Sequence, residues 1–308
     1  MKYENSILLR CIECGSLDLS PLPQGVVCVA CAASYGSVRG VPTFLKQGGL
    51  FTAQTAGDIR KNGFVPRAMR SLASAAPGLS FTFYAARAKS RTIARQARTG
   101  TCLVIGAGDN VSENAILRNH FARVVATDVS VNEGVDLVCD GHDLPFADDQ
   151  FDFVVLTAVL EHVLDPQRVV QEVGRVLKMD GVVFAVTPFL QAVHMGAFDF
   201  QRFTDLGHRW LFKEFEQLER GTCGGPAASL LWSLSYFASS FGFSRISARL
   251  LGLGARLLFF WVKYFDFVLE RGTACRDSAN GFYFVGKNRK RPVIDAKDLI
   301  GAYTGRNR

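Results

Sequence analysis

From Gly100 onward, short apolar runs alternate with segments whose composition favours helices. The apolar runs TCLVIG, RVVATD, VDLVCD, FDFVVLTAV and GVVFAVTP predict strands, and SENAILRNH and PQRVVQEVGRVLK predict helices. Mostly apolar strands that alternate with helices form a parallel sheet covered on both faces. Ligands of such a sheet bind beyond the carboxyl ends of its strands. The sequence therefore predicts an α/β fold with a ligand site at that edge.

A glycine-rich turn, residues 106–108, follows the first strand and faces this edge. A dinucleotide-binding turn has a third small residue where this chain has Val111, and Asp109 would place a negative charge beside a phosphate. Both features disfavour NAD and favour a phosphate-free adenosine cofactor, S-adenosylmethionine, whose sulfonium is cationic. Asp128 ends the second strand, where a carboxylate can accept hydrogen bonds from both ribose hydroxyls.

The residues that follow resemble class I S-adenosylmethionine-dependent methyltransferases of the small-molecule group. The matching pieces occur in the family's order: Asp140 after the third strand, Leu144-Pro145-Phe146, Phe151-Asp152, Leu160-Glu161-His162-Val163 ahead of Asp165-Pro166, and Lys178 through Gly181. The resemblance covers about residues 100–222 and returns at the last strand, 281–286. It implies a Rossmann-like seven-stranded methyltransferase sheet.

The resemblance also implies which residues hold the cofactor. They are Gly106 and Gly108 beside the methionine moiety, Asp128 at the ribose, Asp140 and Gly141 at the adenine, and Thr157 on the floor near the methyl group. Val104 stands where many members carry an acid for the methionine ammonium, so that contact is not assigned. An alternative role for Asp140 is that of a turn residue.

Two histidines are candidates for catalysis. An acceptor that keeps its proton at neutral pH needs a base, and His194, in the loop after the fifth strand, is the better placed. That loop resembles one in bacterial methyltransferases, where a histidine precedes an aromatic-Asp-aromatic unit and Arg-Phe-Thr; here Met195 replaces the acid that often follows the histidine. In the alternative interpretation His194 and Asp199 hold the loop in place while Arg202 pairs with Asp199.

His162 is the second candidate, and the alternative is that Glu161 and His162 only anchor the loop after the fourth strand. Thr204 is interpreted as the N-cap of the next helix, because threonine favours that position.

Four cysteines near the N-terminus form two CxxC pairs, Cys11 with Cys14 and Cys28 with Cys31. Two such pairs provide four thiolates for a tetrahedral zinc ion without an open position, so the predicted site is structural. A redox role is the less favoured alternative. The organisation predicted from this site and the strand pattern is a zinc-ribbon module in residues 1–50, a linker and basic helix in 51–98, the methyltransferase domain in 99–290 and a basic tail in 291–308.

A hydrophobic helical insertion, about residues 226–275, separates the predicted sixth strand (216–223) from the seventh (281–286). Arg249, Arg256, Lys263 and Glu270 recur every seven residues and predict one charged stripe on an otherwise apolar helix. Such a helix is a lid on its own domain, a membrane-interface element or an oligomer interface. Peripheral membrane contact through residues 226–270 is therefore one hypothesis; the oligomeric state is not predicted.

The net charge of +7 is unevenly distributed, with basic residues concentrated in 58–98 and after 190, and acidic residues in 101–190. Basic flanks suggest contact with an anionic surface or, equally, solvated helices and a frayed tail. The start of the chain lacks a signal-peptide pattern, which favours a cytoplasmic protein. The acceptor is expected to be a small molecule or linked to lipid or glycan. An RNA methyltransferase that uses the ribbon and basic segment, and a non-catalytic cofactor-binding scaffold, are the rival hypotheses.

Overall fold

The structure, a computed structural model, describes residues 2–3, 7–52, 83–108, 111–270 and 272–306. Most of the predicted linker, and Asp109 of the glycine-rich turn, lie outside the described residues. The N-terminal segment forms short strands: β1 (Lys2–Tyr3), β2 (Ile7–Leu8), β3 (Leu19–Leu22), β4 (Gly25–Cys28), β5 (Ser34–Tyr35), β6 (Ser37–Val38) and β7 (Val41–Phe44). Strands β3, β4 and β5 make a small antiparallel sheet.

The predicted sheet of seven strands is present and is extended by two more. Its strands are β8 (Thr101–Ile105), β9 (Arg123–Asp128), β10 (Leu137–Cys139), β11 (Phe151–Thr157), β12 (Leu177–Pro188), β13 (Phe215–Gly224) and β14 (Gly281–Asn288). The order is β13-β14-β12-β11-β8-β9-β10-β7-β6, with β14 antiparallel to both of its neighbours. Among the described residues, the sheet therefore contains the seven expected strands and two more.

The two additional strands come from the N-terminal segment. Strand β7 pairs in parallel with β10, with Thr43 opposite Val138. Strand β6, which precedes β7 in the chain, pairs with its other side in a hairpin. A sheet edge carries unpaired N–H and C=O groups, and covering it removes a surface to which another chain could pair. The N-terminal segment therefore completes the main sheet.

Polar contacts and burial join the N-terminal segment to the same domain. Arg10 pairs with Glu172 at 3.1 Å, the Leu8 N–H donates to Oε1 of Gln150 at 3.0 Å, and Lys46 pairs with Asp143. The fully buried segment residues Leu9 and Phe44 belong to the core cluster that includes sheet residues such as Leu103 and Val154. The N-terminal segment and the main sheet therefore contribute side chains to the same hydrophobic core cluster.

Helices cover the two faces of the sheet. They are α1 (Phe83–Ala94), α2 (Val111–His120), α3 (Pro166–Val176) and α4 (Asp205–Leu211). Asp165 caps α3 by accepting from the Arg168 N–H, and Pro166 occupies the first turn, where its missing N–H costs nothing. The predicted cap of α4 is confirmed, since the Thr204 hydroxyl accepts from the Gly207 N–H at 3.1 Å.

The insertion between β13 and β14 is helical. It contains α5 (Pro226–Ser239), α6 (Arg245–Phe259), a 3₁₀ segment (Phe260–Phe265), α7 (Asp266–Leu269) and α8 (Ala274–Asp277). The expected single helix is therefore broken after Phe259. Among the described residues no helix is both long and apolar enough to cross a membrane.

The charged side chains at the end of the insertion face the protein rather than the solvent. Lys263 is buried, and the buried carboxylate of Asp266 accepts hydrogen bonds from the N–H groups of Gly225, Ala227 and Ala228 at the start of α5. The apolar side chains are exposed instead: Phe237, Phe241, Phe243, Leu258, Trp261, Phe265 and Val268. We call these seven residues the apolar face.

The predicted basic tail packs on the domain as far as residue 306. It contains α9 (Ala296–Gly301), and the Tyr303 hydroxyl donates to the Asp277 carboxylate at 2.9 Å. The Val293 N–H donates to the Lys213 carbonyl, and a guanidinium nitrogen of Arg220 donates to the Ala302 carbonyl. The described part of this segment is therefore docked rather than frayed.

Glu270 makes the stability of the insertion depend on pH. Burial raises the pKa of Glu270 from its ordinary 4.5 to about 7; the hydrogen bond from Thr222 opposes this shift and the nearby Asp266 adds to it. A carboxyl whose pKa is raised by folding stabilises the protein fully below its unfolded pKa, and that contribution is lost as the pH rises through 7.

We expect the free energy of unfolding to fall between about pH 4.5 and pH 7, measured by urea unfolding at a series of pH values. Glu270→Gln is nearly isosteric and does not titrate, so its profile should fall less over this range. Parallel profiles for the two proteins would contradict the assignment.

Candidate cofactor pocket and active site

A cavity of about 300 Å³ opens at the carboxyl edge of β8, β9, β10 and β11. Predicted site residues from separate parts of the sequence line it: Gly106, Gly108, Asp128, Asp140, Gly141, His162 and His194. Phe51, from the end of the N-terminal segment, lines it as well and stacks on Phe198 with ring centroids 5.9 Å apart. The N-terminal segment thus contributes to the wall of the cavity.

The glycine-rich turn requires glycine at its first position. Gly106 has φ of +69°, and a Cβ atom there would lie 2.5 Å from Cγ2 of Val159. Gly108 has φ of +53°, also in the left-handed region, and its N–H donates to Oδ2 of Asp128 at 2.8 Å. The backbone therefore approaches the cavity closely and is fixed by the strand-end carboxylate.

Asp128 is held by three donors. Besides the Gly108 N–H, the Ser130 N–H and hydroxyl donate to Oδ1 at 2.9 and 2.8 Å. Asn132 donates to the Ser130 hydroxyl at 2.8 Å, and both residues line the cavity. A carboxylate has about four acceptor positions, so Asp128 can still accept from a ribose hydroxyl. Ser130 and Asn132 were not predicted from the sequence, because polar residues that bind a ligand after a strand have the same composition as ordinary turn residues.

Asp140 is oriented by His142. Oδ1 of Asp140 accepts from the His142 N–H at 3.0 Å and from Nδ1 of its ring at 2.6 Å. Nε2 of His142 accepts from the Asp165 N–H, which leaves the ring proton on Nδ1. Burial opposes ionisation of Asp140, but the hydrogen bonds from His142 lower its pKa. An ionised carboxylate therefore faces the cavity, as an adenine amino group requires.

Thr157 lies away from the cavity. Its hydroxyl accepts from the Lys89 ammonium at 3.4 Å, which places the side chain toward α1. It is not among the described residues that line the cavity. The position of Thr157 at the end of β11 matches the prediction, but its side chain points away from the expected floor.

The loop from 189 to 204 is held by an ion pair. Arg202 binds the Asp199 carboxylate with both terminal nitrogens and donates to the carbonyls of Gln191 and Ala192. Asp199 also accepts from the His194 N–H at 2.9 Å. Burial opposes ionisation of Asp199, yet the Arg202 pair and the His194 N–H hold its pKa far below the usual range. Asp199 is therefore the fixed anion around which this loop is built.

His194 has a carboxylate partner after all. Its Nδ1 lies 3.3 Å from Oδ2 of Asp199. Met195 stands where the similar loops often carry an acid, and Asp199, five positions after His194, provides a carboxylate instead. Nε2 of His194 lies 3.8 Å from Oε1 of Glu161, and His194 is one of the residues that line the cavity. Nδ1 of His162 is 2.7 Å from the Phe198 carbonyl, and its Nε2 is 3.7 Å from the same Glu161 oxygen.

Glu161 lies beneath both histidines. Its side chain is fully buried, and neither carboxylate oxygen has a hydrogen-bond partner among the described residues. Burial raises the pKa of Glu161 to about 8. The Glu161 backbone carbonyl accepts from the N–H groups of Phe200 and Gln201, so the segment also anchors the loop, as the alternative interpretation expects.

The four predicted zinc ligands are close together. The sulfur atoms of Cys11, Cys14, Cys28 and Cys31 all lie within 4.8 Å of one another. The Cys11–Cys31 and Cys14–Cys28 sulfur pairs are each 3.6 Å apart. Zinc–thiolate bonds of about 2.3 Å at tetrahedral angles put sulfur atoms about 3.8 Å apart, so the cluster suits a tetrahedral ion.

Comparison with known proteins identifies one domain. Residues 103–185 match the family model described as a methyltransferase domain. An uncharacterized protein of Methanocaldococcus jannaschii is 40% identical over 47 residues, which are 15% of this chain. The matched part is 23% of that relative, so the chain spans about a quarter of its length.

Several solved structures are similar at low identity. Phosphoethanolamine N-methyltransferase 2 of Haemonchus contortus, bound to S-adenosylmethionine, is 15% identical over 66% of this chain and 51% of that one, with a TM-score of 0.45. The YcgJ protein of Bacillus subtilis is 14% identical over 67% and 99%, with a TM-score of 0.42. A complex of the Haloferax volcanii Trm112 methyltransferase activator with a methyltransferase gives 18% identity over 68% and 97%, with a TM-score of 0.40.

Proposed function

We propose that the chain, whose residues 103–185 match a methyltransferase domain, is a class I S-adenosylmethionine-dependent methyltransferase that acts on a small molecule or on a lipid- or glycan-linked acceptor. The observation that carries the proposal is the convergence of Gly106, Gly108, Asp128 and Asp140 on one cavity that also contains His162 and His194. Cofactor groups at one end and candidate catalytic groups at the other are what a transfer reaction needs.

The residues present suit the proposed cofactor. The turn formed by Gly106 and Gly108 would receive the methionine moiety, Asp128 with Ser130 the ribose, and Asp140 the adenine amino group. The two carboxylates that line the cavity, those of Asp128 and Asp140, favour a cationic ligand over a phosphate-bearing one. S-adenosylmethionine supplies a methyl group on a sulfonium, which becomes a neutral thioether when the methyl group leaves.

The remaining steps fall to the chain's own residues. The residues of the cavity would hold the acceptor so that its lone pair faces the methyl group of the bound cofactor. The apolar wall formed by Ile105, Val159 and Val163 would exclude water and align the two reactants. A hydroxyl acceptor also loses its proton, and Nε2 of His194, whose Nδ1 faces Asp199, is in position to receive it.

We propose that the four-cysteine cluster binds a structural zinc ion. The cluster adjoins β4 and holds the segment that supplies β7 to the main sheet and Phe51 to the cavity. The zinc would thus stabilise the sheet edge and one wall of the cavity without taking part in the reaction.

The lipid-linked acceptor is favoured by the position of the insertion. The Tyr236 hydroxyl of α5 donates to the Val193 carbonyl in the loop that carries His194. The Trp232 ring centroid, also on α5, is 6.3 Å from that of the His194 ring. The same insertion exposes the apolar face, with Arg245 and Arg249 exposed on α6. A membrane-bound acceptor could therefore reach the cavity beside α5.

We expect the protein to bind anionic lipid vesicles at low salt, measured by co-sedimentation. Phe241 and Leu258 are each more than 60% exposed, and burying such a side chain contributes about 1.5–3 kcal/mol. The double variant Phe241→Ser/Leu258→Ser should therefore bind at least about tenfold more weakly. Ile300→Ser is the matched control, because Ile300 is equally exposed on α9 outside the apolar face. Equal loss in both variants, or no binding by the unaltered protein, would contradict the proposal.

Ion pairing weakens the RNA alternative. In the described part of the basic segment that this alternative uses, Lys89 pairs with Glu113 and Arg91 with Glu219. Near the C-terminus, Lys287 and Arg289 pair with Asp180, and Lys290 pairs with Asp149. These cations are therefore partly neutralised within the protein and offer less charge to a phosphate backbone.

Methyl-labelled S-adenosylmethionine tests the acceptor class directly. We expect label to enter the lipid or glycan fraction of a cell extract when the protein is added. Label in RNA would support the rival enzyme, and cofactor binding without any labelled product would support a scaffold.

A further inference from the structure

Three ligand-type side chains meet at the end of the cavity. The buried Glu161 carboxylate lies 3.7 Å from Nε2 of His162 and 3.8 Å from Nε2 of His194. One ligand atom from each residue lies within 4.8 Å of the other two. The two imidazole rings are nearly perpendicular, with centroids 4.9 Å apart, so they approach Glu161 from different directions.

Contacts of the two Nδ1 atoms orient the rings so that each Nε2 faces Glu161. Nδ1 of His162 is 2.7 Å from the Phe198 carbonyl, which can only accept, so Nδ1 carries the proton and Nε2 has a lone pair. Nδ1 of His194 lies 3.3 Å from the Asp199 carboxylate, which is held ionised by Arg202. Metal-binding histidines are oriented in this way, by a carbonyl or carboxylate on the other nitrogen.

The group contains acceptors without a donor. Both Glu161 oxygens are buried and have no hydrogen-bond partner among the described residues. A buried carboxylate without a partner is costly. A cation held between Glu161 and the two Nε2 atoms would remove this cost, because all three groups can act as ligands.

We propose that Glu161, His162 and His194 bind a divalent transition-metal ion of the Mn²⁺, Fe²⁺, Co²⁺ or Zn²⁺ class. Two imidazoles and one carboxylate are a donor set that suits these ions. Bonds of about 2.0–2.2 Å at tetrahedral angles would put the ligand atoms about 3.4 Å apart, close to the distances present. Since His162 and His194 line the cavity, the open coordination positions face it.

The site deepens the proposed function and rests on it for its purpose. An acceptor hydroxyl in the cavity would coordinate the ion, which lowers the pKa of a bound hydroxyl. The proton would pass to solvent water, the oxygen lone pair would form the bond to the methyl carbon, and the sulfur–carbon pair would remain on sulfur. The histidines would then act as ligands instead of accepting the proton directly, and the acceptor would be a hydroxyl compound.

Cobalt binding tests the site without the acceptor. We expect the full-length protein with zinc at the four cysteines to bind one further equivalent of Co²⁺, without a thiolate charge-transfer band. Glu161→Gln and His194→Ala should each lose this equivalent. His120→Gln should keep it, because His120 bonds to the Gln96 carbonyl outside the cavity.

Two results would overturn the site. One is a zinc-loaded wild-type protein that binds no Co²⁺, or only Co²⁺ with the thiolate band; the other is unchanged Co²⁺ binding in both Glu161→Gln and His194→Ala. S-adenosylmethionine affinity, measured on the same samples by calorimetry, reports separately on the proposed function. It also shows that the variants remain folded.

Discussion

Asp128→Ala is expected to bind S-adenosylmethionine at least about 100-fold more weakly than the wild type. A hydrogen bond to a charged group contributes about 1.5–3 kcal/mol, and Asp128 is placed to accept from the ribose. The substitution also removes the acceptor of the Gly108 N–H, which fixes the turn that lines the cavity. Isothermal titration calorimetry measures the loss.

Two variants bracket this result. Asp128→Asn keeps the size of the side chain and one acceptor oxygen, so its affinity should fall between those of wild type and Asp128→Ala. Glu133→Ala removes an exposed acid five positions later that does not line the cavity, and it should bind like the wild type. Normal affinity in Asp128→Ala would place the ribose elsewhere.

Cys28→Ser is expected to unfold the N-terminal segment and destabilise the domain. A structural four-ligand zinc site supplies an apparent binding free energy of about 10–16 kcal/mol, which is comparable with the whole stability of a domain. Without the segment, β10 loses the pairing of Thr43 and Phe44 with Val138 and Cys139 and becomes an open sheet edge. We expect an apparent melting temperature lower by roughly 10 °C or more, with increased aggregation.

The matched control is Cys102→Ala, a fully buried cysteine of β8 that is not part of the cluster. It should keep one zinc, measured by elemental analysis, and lose only the modest stability of a small core truncation. A Cys28→Ser protein that melts with the wild type would contradict the structural role of the cluster.

The strand–helix alternation was sufficient to predict the five parallel strands β8 to β12, because each apolar run can be recognised without its neighbours. The antiparallel strands β13 and β14 were expected only from the resemblance to the methyltransferase family. The extension by β6 and β7 was not predictable in this way. These strands contain two and four residues, and only their long-range pairing with β10 makes them part of the sheet.

The insertion shows why a charge pattern alone can mislead. The seven-residue spacing of Arg256, Lys263 and Glu270 predicted an exposed stripe on one helix. The chain leaves the α-helix after Phe259, and Lys263 becomes buried while Glu270 accepts a hydrogen bond from Thr222. The seven-residue spacing therefore describes one helix face only as far as Phe259, where the α-helix ends. Which side chains face the core depends on tertiary packing.

Some of the cavity residues could be predicted from the sequence and others could not. Gly106, Gly108, Asp128 and Asp140 follow strands of a known order, so their convergence could be predicted. The contacts of Asp199 with His194 and Arg202 were also expected, as the alternative interpretation of the loop. The position of Glu161 beneath two histidines depends on how the loop from 189 to 204 folds back over the segment after β11, which the local sequence does not encode.

A calorimetric titration of the folded, zinc-loaded protein with S-adenosylhomocysteine and, separately, with NAD tests the identity of the cofactor most directly. We expect saturable binding of one S-adenosylhomocysteine per chain and no heat with NAD. Binding of NAD, or no heat with either S-adenosylhomocysteine or S-adenosylmethionine, would contradict this expectation.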